Sequence, residues 1–185
     1  MRSCPETAPR RANPSDARTL AAMHVAAWHE TYPGLVPDVM LAAVTVEARI
    51  SMWEHILSDP SAGHRTRAWI VERAGSIVGF GSCGVQRTAG LSEQGFDGEI
   101  GAVYVLRSAQ REGIGTALMR TMARDLQDHG HRAAGLWVLR ENRPARRFYE
   151  RLGGAAVMER EDHRADGVLT EVAYGWRNLG ALARI

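Results

Sequence analysis

The segment Gln110-Arg111-Glu112-Gly113-Ile114-Gly115-Thr116 joins polar side chains to two closely spaced glycines, directly ahead of an apolar stripe. At the start of a helix the first peptide N–H groups have no intrahelical partner and the aligned peptide dipoles present partial positive charge, so a phosphate is well placed there. Glycine at 113 and 115 removes side chains that would hold a diphosphate away from those donors, and Gln110 and Arg111 add polar reach. On these residues alone, an equal reading is that Gly113 and Gly115 only shape a tight turn. A second glycine string, Gly79-Phe80-Gly81-Ser82-Cys83-Gly84, has dinucleotide-binding spacing, but it lies inside a strand pattern and no helical stripe follows it. Close strand packing is the better reading there. The GxxxxGK[ST] phosphate loop is absent.

The elements that must position these residues are legible as patterns. Ile114, Leu118, Met122 and Leu126 recur every four residues, with Arg120, Arg124, Asp125 and Asp128 between them and Gly130 after them, which predicts an amphipathic helix. Glu99 to Val105 reads as a strand before it. Leu136 to Leu139 reads as a strand after it, followed by a helical face of Ala145, Phe148, Tyr149 and Leu152 that ends at Gly153-Gly154. Upstream, Ala68 to Val71 and Ile77 to Phe80 flank Ala74-Gly75-Ser76 as a hairpin, and 86–96 reads as a loop. Ser15 or Asp16 is placed to cap a helix running to about Glu30, which Tyr32-Pro33-Gly34-Leu35-Val36-Pro37 breaks. A second helical stretch, in one or two pieces, runs from about Asp38 to Leu57, before Ser58-Asp59-Pro60. Ala155 to Met158 and Val168 to Trp176 pair around Ala165-Asp166-Gly167. Strand, helices, three strands, helix, strand, helix and two strands imply an α/β or α+β class, with a mixed sheet and helices on both faces.

Together, Gln110, Gly113 and Gly115, with Asn142, Ala145, Phe148 and Tyr149 downstream, resemble the GNAT superfamily of acetyl-CoA-dependent N-acetyltransferases. That family's signatures are Gln/Arg-x-x-Gly-x-Gly/Ala and a later Asn, Ala and Phe-Tyr set. The resemblance covers residues 67 to 176 well and the N-terminal helices loosely. Gly154 departs from it, since the family usually carries an aromatic residue there. The resemblance implies a mostly antiparallel central sheet and an acyl-CoA-binding core over residues 97–153. Acetyl-CoA is then expected where the strand 99–105 diverges from the strand 135–139. Backbone groups of Tyr104 and Val105 would meet the pantetheine arm, and Gln110, Arg111, Glu112, Gly113, Ile114, Gly115 and Thr116 the diphosphate. Asn142 would approach the pantetheine, with Ala145 and Phe148 beside it.

Acetyl transfer to an amine needs a neutral nitrogen, yet a lysine-type amine has a pKa of about 10.4. Glu99 is the candidate base, directly or through water; the alternative is a solvated carboxylate at a strand start. Tyr149 is the candidate acid for the departing thiolate, or else a core tyrosine. The Val105 N–H is placed to stabilise negative charge on the acetyl oxygen. Trp28, His29 and Tyr32, with the 86–96 loop, look like the walls that form acceptor pockets in the resembled family; alternatively Trp28 and Tyr32 are one packed helix face.

The 185-residue length suits one domain, 1–185, with 1–14 its loosest segment. A net charge of +2 predicts no nucleic-acid or membrane partner. Cys4 and Cys83 are too few for a disulfide framework, and no Cys/His spacing suits a metal. The expected setting is cytoplasmic, and the expected acceptor is a small-molecule or peptide amine. A homodimer stays open. The alternatives are a non-catalytic CoA-binding regulatory module and an enzyme using another acyl-CoA, although no separate cationic clamp for a carboxylated acyl group is evident.

Overall fold

The structure, a computed structural model, describes residues 8–58 and 66–185. Cys4, residues 1–7 of the segment expected to be loose, and the Asp59-Pro60 part of the expected helix stop lie outside the described residues. The elements are β1 (Arg10–Arg11), α1 (Ala17–Thr31), α2 (Asp38–Ala42), α3 (Val46–Ser58), β2 (Thr66–Arg73), β3 (Ser76–Val85), α4 (Ala89–Glu93), β4 (Gly98–Val105), α5 (Ile114–Asp128), β5 (Ala134–Leu139), α6 (Arg143–Arg151), β6 (Ala155–Arg164), β7 (Gly167–Trp176) and α7 (Leu179–Leu182).

The strands form one seven-stranded mixed sheet in the order β1-β2-β3-β4-β5-β7-β6. Every neighbouring pair is antiparallel except β4 and β5. Strand alternation sends side chains to two cores. Val71, Cys83 and Ile100 face α5, whose Ile114, Leu118, Met122 and Leu126 are all buried against them. Ala68, Ile70 and Phe80 face Leu20, Met23 and Trp53 of α1 and α3 on the opposite side. Burying each such side chain contributes about 1.5–3 kcal/mol, so the four-residue stripe alone explains why α5 docks. The glycines of β3 let it dock closely: a Cβ added to Gly81 would fall 2.7 Å from Met122 Cε.

Two local expectations need correction. Neither Ser15 nor Asp16 caps α1; Asn13 accepts from the Ser15 N–H at 2.9 Å, and the Asp16 carboxylate accepts from the Asn13 N–H at 2.8 Å, forming a capping box one turn earlier. The 86–96 stretch contains α4, a five-residue helix pinned by fully buried Leu91 and too short to show periodicity. At Gly154, where an aromatic residue is usual in the resembled family, an added Cβ would lie 2.6 Å from Trp176 Cζ2. The indole of β7 fills that space instead, and its Nε1 donates to Leu152 O at 2.9 Å. No helix among the described residues is long and apolar enough to cross a membrane.

Candidate active site

β4 and β5 pair only twice, Gly98 with Ala134 and Glu99 with Gly135. Beyond Glu99 they part, and a bulge is the local cause. Ser82 pairs with Ala102 while Cys83 pairs with Ile100, so Gly101 is an extra residue that bends β4. The bulge also resets which peptides face the gap. Before it, Gly98 N–H donates toward β5, to Ala133 O at 2.9 Å; after it, Leu106 N–H donates to Val78 O on β3 at 2.9 Å. Peptide direction alternates along a strand, so Ala102 and Tyr104 face β3, and Val103 and Val105 face the gap. The expectation that Tyr104 offers its backbone to the gap is therefore corrected. Val103 holds that place, and the unread bulge hid the change of phase.

The turn after β4 ends at Gly113, whose φ of +83° is left-handed and favours glycine. An added Cβ there would meet nothing within 4 Å. Gly113 O accepts the first α5 bond, from Ala117 N–H at 2.9 Å, which leaves the N–H groups of Ile114, Gly115 and Thr116 ahead of the helical ladder. Gly115 has a role beyond the one expected. An added Cβ would press on Phe148 Cζ at 3.1 Å, so this glycine also lets α6 seat against the first turn of α5. Gln110 is also engaged, its Nε2 donating to Val105 O at 3.0 Å. Glu112 pairs with Arg73 on β2. Arg111 is exposed with φ +66°, and Thr116 is half-buried.

From α6, Asn142 caps its helix by accepting from the Ala145 N–H at 3.2 Å, while its Nδ2 donates to nothing among the described residues. Ala145 is half-buried. Tyr149 is buried beside Phe148, Tyr174 and Trp176, yet its hydroxyl has no hydrogen-bond partner among the described residues. Burial first, and neighbouring Tyr32 second, push its pKa above the usual tyrosine value, so it remains a phenol. A buried cap amide with a spare N–H pair, a phenol with a spare proton and two strand-edge peptides are a donor set that fits a pantetheine thioester.

On the α1 side the fork opens into a cavity of about 420 Å³, bounded by Glu99 and Tyr104 of β4, Trp137 of β5, Glu171 of β7, and Trp28 and Tyr32. The Trp28 and Tyr32 ring centres are 4.1 Å apart, and the Tyr32 and Tyr104 hydroxyls share a hydrogen bond at 2.9 Å. Glu99 is not a solvated carboxylate. Its side chain is 12% exposed and is held by Arg87, through the backbone N–H at 3.0 Å and through the guanidinium.

The profile of the acetyltransferase (GNAT) family matches residues 25–154. The chain belongs to the GNAT family. As a GNAT member it is an acyltransferase. It is 31% identical over 173 residues to the uncharacterized N-acetyltransferase YuaI of Bacillus subtilis, covering 94% of each chain. Its fold is similar to that of YncA, a putative acetyltransferase of Salmonella typhimurium solved with acetyl-CoA (TM-score 0.66, 16% identity, 92% of each chain). It is also similar to that of the PaiA N-acetyltransferase of Thermoplasma acidophilum solved with coenzyme A (TM-score 0.67, 16% identity, 88% of this chain and 96% of that one).

Several residues of this GNAT site escaped the sequence reading. Glu171 interrupts the apolar run from Val168 to Trp176, a signal that was available. Arg87 lies in the 86–96 loop expected to wall the acceptor pocket, whereas Arg160 and Trp137 carried no signal, because only the sheet order brings them to the cavity. Arg87, Arg160 and Arg164 also supply the cluster of cations that the sequence did not reveal.

Proposed function

We propose that this protein transfers an acetyl group from acetyl-CoA to a primary amine across the β4/β5 fork. The observation that carries the reading is the parting of β4 and β5 after two register pairs, between the first turn of α5 and the start of α6. The N–H groups of Ile114, Gly115 and Thr116 would hold the diphosphate, helped by Arg111. Val105 would bond the pantetheine along the β4 edge, and Asn142 Nδ2 would donate to it from the facing helix. Bound acetyl-CoA supplies the activated acetyl group and a thiolate as the leaving group.

Tyr149 holds a proton at its hydroxyl and delivers it to the departing sulfur. Of the two gap-facing N–H groups, that of Val103 lies farther from the diphosphate end and stabilises the charge that builds on the acetyl oxygen, leaving that of Val105 for the pantetheine. Glu99 takes the proton from the incoming ammonium through a water, because direct acceptance requires Arg87 to release one carboxylate oxygen. The test is calorimetry with coenzyme A, combined with thiol release from acetyl-CoA across an amine panel. Binding with amine-dependent release supports the reading. Binding with no release from any amine leaves a non-catalytic CoA-binding module, and no binding at all overturns it.

A further inference from the structure

The cavity carries a charge pattern that acetyl transfer by itself does not require. Its wall holds two glutamates, Glu99 and Glu171, and three arginines, Arg87, Arg160 and Arg164. The carboxylates are the inner members, 12% and 13% exposed, and each is held by one outer arginine, 67% exposed for Arg87 and 40% for Arg160. Arg160 Nε donates to Glu171 at 2.8 Å, and its guanidinium lies 4.0 Å from the centre of the Trp137 ring, which sets its plane. Trp137 is itself anchored, its Nε1 donating to Thr88 Oγ1 at 3.2 Å. Arg164 donates to Asp162 at 2.7 Å, outside the cavity wall.

A polyamine entering here meets two glutamates already paired with Arg87 and Arg160, and a third cation, Arg164, on the same wall. A peptide N-terminus brings one cation and no anion to match the arginines. A compact molecule bearing both an ammonium and a carboxylate satisfies both signs, and a volume of about 420 Å³ suits a small ligand. We propose that the acceptor is a free amino acid, with its ammonium toward Glu99 at the fork and its carboxylate on Arg160, while Trp28 and Tyr32 bound its side chain. This assignment rests on the acetyl-transfer reading above and adds the acceptor class to it. In the transfer, the amino nitrogen bonds to the acetyl carbon as the carbon–sulfur bond breaks. Of the two protons the ammonium loses, one ends on the coenzyme sulfur and one leaves to solvent. The N-acetyl product no longer carries the cation that Glu99 attracts, which favours its release.

The test is thiol release from acetyl-CoA with the standard amino acids, their carboxamides, spermidine and a short peptide with a free N-terminus, run beside calorimetry for coenzyme binding. At least one amino acid is expected to exceed its own amide by about tenfold or more in kcat/KM, as follows when a charge-assisted bond is lost. Arg160→Gln is expected to cut that acid-over-amide preference by about tenfold, with Arg160→Lys keeping part of it. An amide, spermidine or the peptide matching every amino acid overturns the assignment, as does no release from any amino acid or a preference unchanged in Arg160→Gln. Preference for succinyl-CoA over acetyl-CoA as donor also overturns it, because the arginines then serve the acyl group. Absence of coenzyme binding sinks the acetyl-transfer reading itself; binding with a failed acid preference sinks only the acceptor class.

Discussion

Arg87 holds Glu99 from two directions at once, its backbone N–H reaching Oε2 at 3.0 Å and its guanidinium Nε reaching the same oxygen at 3.1 Å. A carboxylate so engaged is oriented but not idle: three Arg87 hydrogens, with the Nε–H shared between both oxygens, meet its four acceptor positions, so one position is left for water. If Glu99 relays the ammonium proton, Glu99→Gln lowers kcat/KM at pH 7 by about a hundredfold. The deficit should shrink as pH rises, because the neutral fraction of the acceptor amine grows about tenfold per pH unit below its own pKa. A rate-against-pH profile of wild type and Glu99→Gln checks both the size and the sign. A deficit constant from pH 7 to pH 10 removes Glu99 as a proton relay.

Tyr149→Phe separates a proton donor from a packing residue. The hydroxyl bonds to nothing among the described residues, so its loss should leave Tm within a few degrees while turnover falls by about tenfold or more. Because the phenol pKa is raised, Tyr149 should add no break to the profile below pH 10. Unchanged turnover with normal coenzyme affinity takes Tyr149 out of the chemistry.

Gly113 and Gly115 should respond differently to alanine. Gly113→Ala places an ordinary residue at φ +83°, costing about 1–2 kcal/mol, although its Cβ would meet nothing. Gly115→Ala suffers no such backbone penalty and instead crowds Phe148, so adding Phe148→Leu should recover stability. Chemical denaturation of the single and double variants decides this; recovery of Gly113→Ala by Phe148→Leu would contradict the division of roles.

His24 sets an acid limit on the fold. It is buried among Trp53, Phe80 and Tyr104, and Trp53 Nε1 donates to its Nδ1 at 3.3 Å, which requires a neutral ring. Burial, then the charge of Arg49, lowers its pKa from 6.5 to about 3. Between those values the unfolded chain takes a proton that the folded chain refuses, so stability falls as pH drops. The expected slope from this group approaches about 1.4 kcal/mol per pH unit. Urea unfolding of wild type and His24→Gln from pH 6.5 to pH 4.5 should show the variant flatter by roughly that amount. Parallel lines would mean that His24 protonates in place.

Two parts of the fold were legible in the sequence as local patterns. The α5 stripe repeats its burial at the helix period, and the strand before it is legible as a mostly apolar, β-branched run. The bulge at Gly101 does not repeat. It shifts one register, and with it the identity of the peptides that face the gap from Tyr104 to Val103. The packing role of Gly115 was hidden for a related reason, since the ring that needs its missing Cβ comes from Phe148 on another element. Glu99 was legible as an acid in the right place, but its guanidinium partner reaches it only because β3 and β4 are adjacent.

One strand thus carries two kinds of peptide hydrogen. Those of Ala102, Tyr104 and Leu106 are tied into the β3 ladder, while those of Val103 and Val105, one residue away, look the other way. In heavy water the odd-numbered pair should exchange quickly and the even-numbered set slowly, an odd–even comb written along a single short segment. A molecule zipped onto that edge should slow the fast teeth and leave the slow ones unchanged, which makes β4 a built-in gauge of occupancy that needs no label and no turnover.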